Sequence, residues 1–203
     1  MRNGQRKPVV LASASRSRAA LLEQAGLAVD CHPAGIDEEE IKLAMKADGA
    51  SPGAVADALA ALKAERISMK YENTLVIGAD QMLECDGAWF DKPPDLAALR
   101  DQLLALRGRT HHLLAAVCVT ENGTRIWSHR ETASLTMRPF SDGFLDTYIK
   151  ECGDGVLSSV GGYRLEDRGA QLFEKIDGDY FTILGLPLLP LLTFLRQNGA
   201  LES

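Results

Sequence analysis

The sequence predicts an α/β fold with a mixed sheet and flanking helices, two lobes around a cleft. Two observations carry that expectation. Apolar runs of strand length interleave with segments of helical periodicity along most of the chain. Two long strand-like runs then break the alternation, joined at Asn122-Gly123, a hairpin signal because both positions tolerate positive φ. A purely parallel sheet does not accommodate such a hairpin, so the sheet is mixed. The length, 203 residues, suits one domain over 1–203 with two lobes rather than two independent domains.

Residues 9–12 read as a short buried strand, 13–17 as a polar turn, and 18–25 as a helix that Gly26 stops. Residues 29–36 form a second extended segment, and the acidic run 37–40 follows it. Val55, Leu59 and Leu62 fall at helical spacing within a helix over 52–70. Residues 74–78 are apolar and bounded by turn residues, so they read as a central strand, with Asp80 just past its end. A helix over 94–107 ends at Gly108. The hairpin strands cover 113–120 and 125–137. Ser141 is placed to cap a helix over 141–151. A glycine-rich stretch, 153–162, leads through a loop to a strand at 171–176, and a helix over 187–197 closes the chain. Disorder is expected only at the ends, in 1–7 and 200–203.

Composition narrows the function classes. The chain is 46% hydrophobic and 25% charged, enough apolar residues for a sizeable core. Its net charge of −6 disfavours non-specific binding to nucleic acid or an anionic membrane, both of which need a basic face. A small phosphorylated substrate needs only a local cluster of Arg, Lys and backbone N–H groups. The apolar stretch after Arg2, Arg6 and Lys7 is too short for a secretory segment. The Leu/Pro run at 183–195 is too short to span a bilayer and is cut by Pro187 and Pro190. Four scattered cysteines without a CxxC pair read as reduced thiols of a cytoplasmic protein.

Four groups of residues could carry chemistry. Ser13-Ala14-Ser15-Arg16-Ser17-Arg18 lies between a strand and a helix start, where free N–H groups, hydroxyls and guanidinium groups suit an anion. Its plain reading is a serine cap with solvated arginines. Lys63 and Lys92 could each neutralise a phosphate, though a lone lysine is usually surface charge. Asp80 with one carboxylate of the run Asp37, Glu38, Glu39, Glu40 could hold Mg²⁺, which takes one or two protein carboxylates plus phosphates and water. Taken alone, the run is a solvated loop. Asp80, where a buried strand leaves the core, is harder to dismiss. Finally, Glu166 or Arg168 could face a ligand from the loop 163–170, or that loop could be an ion-paired turn.

Other sites fit poorly. The sequence has no GxxxxGK[ST] loop and no GxGxxG after a strand. His111 and His112 are adjacent in a strand and point to opposite faces, so they do not chelate one metal. No GxSxG elbow supports a serine triad.

Taken together, the segments resemble the Maf family of nucleotide pyrophosphatases. The resemblance rests on Leu11-Ala12-Ser13-Ala14-Ser15 with Arg18-Ala19-Ala20-Leu21-Leu22, Lys63-Ala64, Ile77-Gly78-Ala79-Asp80, Lys92-Pro93, Gly108-Arg109-Thr110-His111, Gly162-Tyr163, Ile176-Asp177-Gly178-Asp179-Tyr180 and Gly185-Leu186-Pro187-Leu188. These occur in family order and cover nearly the whole chain.

The resemblance implies a Maf/ITPase-like fold and metal-dependent attack of water on the α-phosphate of a nucleoside triphosphate, releasing pyrophosphate and a monophosphate. By position it implies Asp80 as general base and metal neighbour, and Glu38 as the second metal carboxylate, with Mg²⁺ or Mn²⁺. Ser13, Arg18, Lys63 and Lys92 would hold the triphosphate, Glu166 would face the base, and the chain could form a homodimer. Such an enzyme could cleanse the pool of modified nucleotides. Three departures bear on base preference: the usual Ser-Pro-Arg-Arg is here Ser15-Arg16-Ser17-Arg18, the usual Thr after the base is Gln81, and the usual Gly after the base-facing residue is Asp167. The alternatives are a strict 7-methyl-GTP pyrophosphatase and a nucleotide-binding regulator of cell division with little turnover. Retention of Asp80, Lys63 and Lys92 favours an enzyme, since binding alone requires no base. An RNA-binding module is disfavoured by the net charge and by the lack of an aromatic stacking motif.

Overall fold

The computed structural model describes residues 6–202. Seven strands form one mixed sheet: β1 (Val9–Leu11), β2 (Asp30–Cys31), β3 (Leu75–Cys85), β4 (Ala88–Phe90), β5 (Thr110–Glu121), β6 (Thr124–Met137) and β7 (Phe173–Asp177). Their spatial order is β2-β1-β3-β5-β6-β7, with β4 on the edge of β3. β1 runs parallel to β2 and β3, and the remaining pairs are antiparallel. The expected hairpin is present, with Asn122 at φ 49° and Gly123 at φ 76°.

Helices α1 (Arg16–Gln24), α2 (Glu38–Ala47), α3 (Pro52–Ser68), α4 (Leu96–Leu106), α5 (Asp142–Cys152), α6 (Tyr180–Ile183) and α7 (Leu188–Gln197) flank the sheet. The first six are each opened by a serine or aspartate whose side chain accepts a first-turn N–H.

Period-2 alternation divides β3 between two faces. Ile77, Ala79, Leu83 and Cys85 point to one face, where two separate clusters form the lobes. One gathers Ile77, Ala79 and Val117 with Leu22 of α1 and Leu191 of α7. The other gathers Leu83, Leu113 and Leu135 with Leu103 of α4 and Leu145 of α5. Gln81 lies between them on the cleft floor. On the opposite face α3 packs through Ala56, Ala60 and Ala64. There the backbones meet at Gly78, where a Cβ would stand 2.1 Å from the Ala60 carbonyl oxygen.

Several expectations need correction. Asp80 is not past the end of a strand but inside one, because β3 continues along β5 as far as Glu84↔His112. The acidic run is not a loop: Asp37 caps α2 and Glu38, Glu39 and Glu40 form its first turn, where carboxylates suit the helix dipole. The extended segment at 29–36 contributes only the two residues of β2. β4 and α6 were not anticipated. Lys7 and Ala200 are ordered: the Lys7 N–H donates to the Gly199 carbonyl, and Ala200 is buried. The expectation for 1–5 and 203 lies outside the described residues.

One feature of the edge of β3 positions the site. β1 stops pairing at Leu11↔Ile77, and β4 begins only at Leu83↔Phe90. Between them, among the described residues, 78–82 pair as strand only with β5. Asp80 stands at the middle of that gap.

Candidate active site

The close approach of α3 at Gly78 brings Lys63 beside Asp80. The Lys63 ammonium donates to Asp80 Oδ1 at 2.6 Å and lies 2.8 Å from Glu38 Oε1 at the start of α2. Lys63 and Asp80 are both buried, whereas Glu38 is partly exposed. Burial pushes the Glu38 carboxyl up, but Lys63, with Lys42 and Lys92 behind it, outweighs that and holds it below its ordinary value. Asp80 Oδ2 is buried and has no hydrogen-bond partner among the described residues.

Arg18 fills part of the gap in the strand edge. Its Nε donates to the Gly185 carbonyl and an Nη to the Ala79 carbonyl, both at 2.8 Å. The same Nη is 3.5 Å from Ser13 Oγ, which also accepts the Ser15 N–H. Burial lowers the guanidinium pKa, against the pull of Asp80 and Glu38. Lys92, just before α4, is likewise lowered, by burial first and then by Arg18 and Lys63, with Glu38 and Asp80 opposing. A cation held in so little water gains more from an arriving phosphate than a solvated one does.

Glu166 accepts from Arg164 Nε at 3.1 Å, so the ion-paired turn is real, yet Glu166 is also among the residues that line the cleft. Arg168 pairs with Glu151 instead.

The structure therefore sorts the expected residues into two groups. Lys63 touches both Glu38 and Asp80 on the α3 side of the sheet. Arg18, Lys92 and Glu166 line the cleft on the other side, with Ser13 behind Arg18. Arg18 and Lys92 join the groups, since each feels both Asp80 and Glu38. Two neighbours of the site escaped the sequence reading as site residues. Gln81 donates to the Thr182 and Ile183 carbonyls at 3.0 and 3.2 Å. Lys42 lies on α2 four residues after Glu38, a spacing that carries meaning only once 38–47 is known to be helical.

A bound divalent cation is compatible with this geometry. Two carboxylates meet at a single ammonium, and one buried carboxylate oxygen has no partner among the described residues. No three His, Cys, Asp or Glu side chains converge among the described residues, and Mg²⁺ does not require three. No helix among those residues is long and apolar enough to cross a membrane.

Comparison with known proteins agrees with the motifs. The family model described as Maf-like protein matches residues 8–198. A nucleoside triphosphate pyrophosphatase of Granulibacter bethesdensis is 55% identical over 95% of this chain and 98% of its own. A 7-methyl-GTP pyrophosphatase of Rhizobium meliloti is 46% identical over 97% of this chain and 100% of its own. The solved structure of a HAM1 protein from Coxiella burnetii matches 66% of this chain and 74% of its own at 15% identity, with a TM-score of 0.38. Sequence match and ordered motifs together establish that this chain belongs to the family of Maf-like proteins.

Proposed function

We propose that the chain hydrolyses nucleoside triphosphates to a monophosphate and pyrophosphate, with Asp80 as general base. The observation that carries this reading is the divided carboxylate of Asp80. Lys63 holds one oxygen, and the other is buried and, among the described residues, unpartnered at the gap in the β3 edge. An acceptor kept dry and fixed in orientation can position a water and take its proton.

The cations on either side of the gap suit a triphosphate. Arg18 approaches from the α1 lobe and Lys92 from the α4 lobe, while Lys63 lies beneath. Ser13 fixes the turn before α1 through the Ser15 N–H and supplies a hydroxyl beside Arg18. Charge building up on the α-phosphate and on departing pyrophosphate would meet these groups already in place. Asp80 and Glu38 would hold Mg²⁺ or Mn²⁺, which when bound offsets phosphate charge and lowers the pKa of a coordinated water. Lys63 would then exchange its carboxylate contacts for phosphate oxygens.

Glu166 supports a lean toward guanine. A carboxylate only accepts, and guanine's pairing edge offers two adjacent donors where uracil and thymine offer one. Its pairing with Arg164 beside the cleft would hold this carboxylate toward a base. The chain would act as a single unit over 1–203 on a nucleotide, without nucleic acid or membrane, in the cytoplasm, alone or as a homodimer.

The test is pyrophosphate release from a nucleotide panel with Mg²⁺. Turnover of several triphosphates, with GTP favoured over UTP and dTTP, is the expected result. Tight nucleotide binding without pyrophosphate release would point to a regulator instead.

A further inference from the structure

Lys42 takes no part in the reading above. It leaves α2 on the same face as Glu38, four residues earlier. Its ammonium lies 2.5 Å from Asp91 Oδ1, the residue just before Lys92. The two ends of this pair differ: the Lys42 side chain is 17% exposed and that of Asp91 is 63% exposed. Burial alone would lower the Lys42 pKa, but the hydrogen bond and charge of Asp91, then Asp80 and Glu38, outweigh it and raise it. The ammonium thus sits within electrostatic reach of the site's own carboxylates while bonded to an acid that faces water.

Such an acid is a weak partner. Pairs with a solvent-exposed member contribute little, because water and salt screen them. A phosphate oxygen in a partly dry cleft makes a stronger, charge-assisted bond. We propose that Lys42 is a further polyphosphate-binding residue, held on Asp91 while the cleft is empty and transferred to the phosphates of a bound nucleotide. α2 then supplies a metal carboxylate and a phosphate cation from one face. The inference rests on the triphosphate reading of the same site. Its competitor is a structural one, in which the pair merely fastens α2 to the segment between β4 and α4.

Asp91 separates the two. If Lys42 binds phosphate, removing the charge of Asp91 frees it and does not weaken binding. If the pair is a fastener, either substitution loosens α2 alike. The experiment measures KM and kcat for GTP with Mg²⁺, and tripolyphosphate affinity by calorimetry, for wild type, Lys42→Met, Lys42→Arg and Asp91→Asn. Lys42→Met should raise KM and the tripolyphosphate Kd roughly tenfold with kcat nearly unchanged, the loss of one charge-assisted hydrogen bond. Lys42→Arg should recover most of both, and Asp91→Asn should raise neither. Unchanged KM and Kd in Lys42→Met, or Asp91→Asn weakening both as much as Lys42→Met, would overturn the proposal. A wild-type protein that releases no pyrophosphate would count against the enzymatic reading instead, and the tripolyphosphate affinities would still decide the role of Lys42.

Discussion

Lys63 and Asp80 meet at 2.6 Å through one carboxylate oxygen, while the other is buried and has no partner among the described residues. The asymmetry makes Asp80→Asn an informative substitution. Its amide oxygen can still accept from Lys63, but its amide nitrogen cannot take a proton. Turnover should fall by ~10²–10⁴, the usual share of a general base. Circular dichroism and the melting curve should stay near wild type. Near-normal pyrophosphate release from folded Asp80→Asn would remove Asp80 from that role.

Activity should vanish on chelation and return with Mg²⁺ or Mn²⁺, because the site offers hard oxygen ligands. Glu38→Gln should raise the metal concentration needed for half-maximal rate. Full activity after exhaustive metal removal would contradict the assignment of Glu38 and Asp80 as ligands.

Glu166→Gln should reduce the preference for GTP over UTP roughly tenfold, since a carboxylate accepting two donors becomes an amide that is half donor. Comparison of kcat/KM for GTP, 7-methyl-GTP, UTP and dTTP reads this directly. An unchanged ratio would leave Glu166 as the partner of Arg164 and nothing more.

Stability should depend on pH through His111. This ring is fully buried, with Nε2 2.7 Å from the Tyr163 hydroxyl, and burial, aided by His112, lowers its pKa from 6.5 to about 4. Above pH 6.5 both folded and unfolded chains hold it neutral, so its contribution is fully present. As pH falls from 6.5 toward 4 the unfolded chain takes up a proton that the folded chain refuses, and stability is lost. The loss should reach on the order of 3 kcal/mol. Urea titrations at intervals across that range should show it, and His111→Gln should flatten the slope between pH 6.5 and 5. Equal slopes in both proteins would show that His111 titrates normally.

Gly78→Ala should be among the most damaging single-methyl changes. The added carbon would meet the Ala60 carbonyl at 2.1 Å and the Ala64 nitrogen at 2.7 Å, both backbone atoms of α3. Relief requires moving the helix that carries Lys63, so both the melting temperature and kcat should fall. A variant with wild-type stability would mean that α3 is free to slide.

Much of this was legible in the sequence. The Asn122-Gly123 hairpin, the α3 helix and the Ser141 cap each depend on local chemistry, and local chemistry is what a sequence displays, although Leu62, read with Val55 and Leu59 as one apolar stripe, is exposed. The residues that touch at the site were reached through ordered motifs rather than through spacing. Lys63 and Asp80 are adjacent only because Gly78 lets a helix backbone approach a strand. The reading failed where a polar residue interrupted an apolar run. Asp80 and Gln81 seemed to end β3, yet pairing with β5 carries the strand through them. The acids at 37–40 looked solvated, although an aspartate followed by acids is also how a helix can begin. β4 had its own signal, Asp86-Gly87, now seen with φ of 50° and 83°.

The gap in the β3 edge has a cost that the fold also manages. Bare strand N–H and carbonyl groups invite another chain to add as a strand, which is how sheets aggregate. Here the Ala79 carbonyl is already taken by Arg18, whose Nε also ties down the Gly185 carbonyl. A foreign strand seeking that edge would have to displace a buried guanidinium before making its own ladder. The residue proposed to receive phosphate therefore also guards the opening against its own kind.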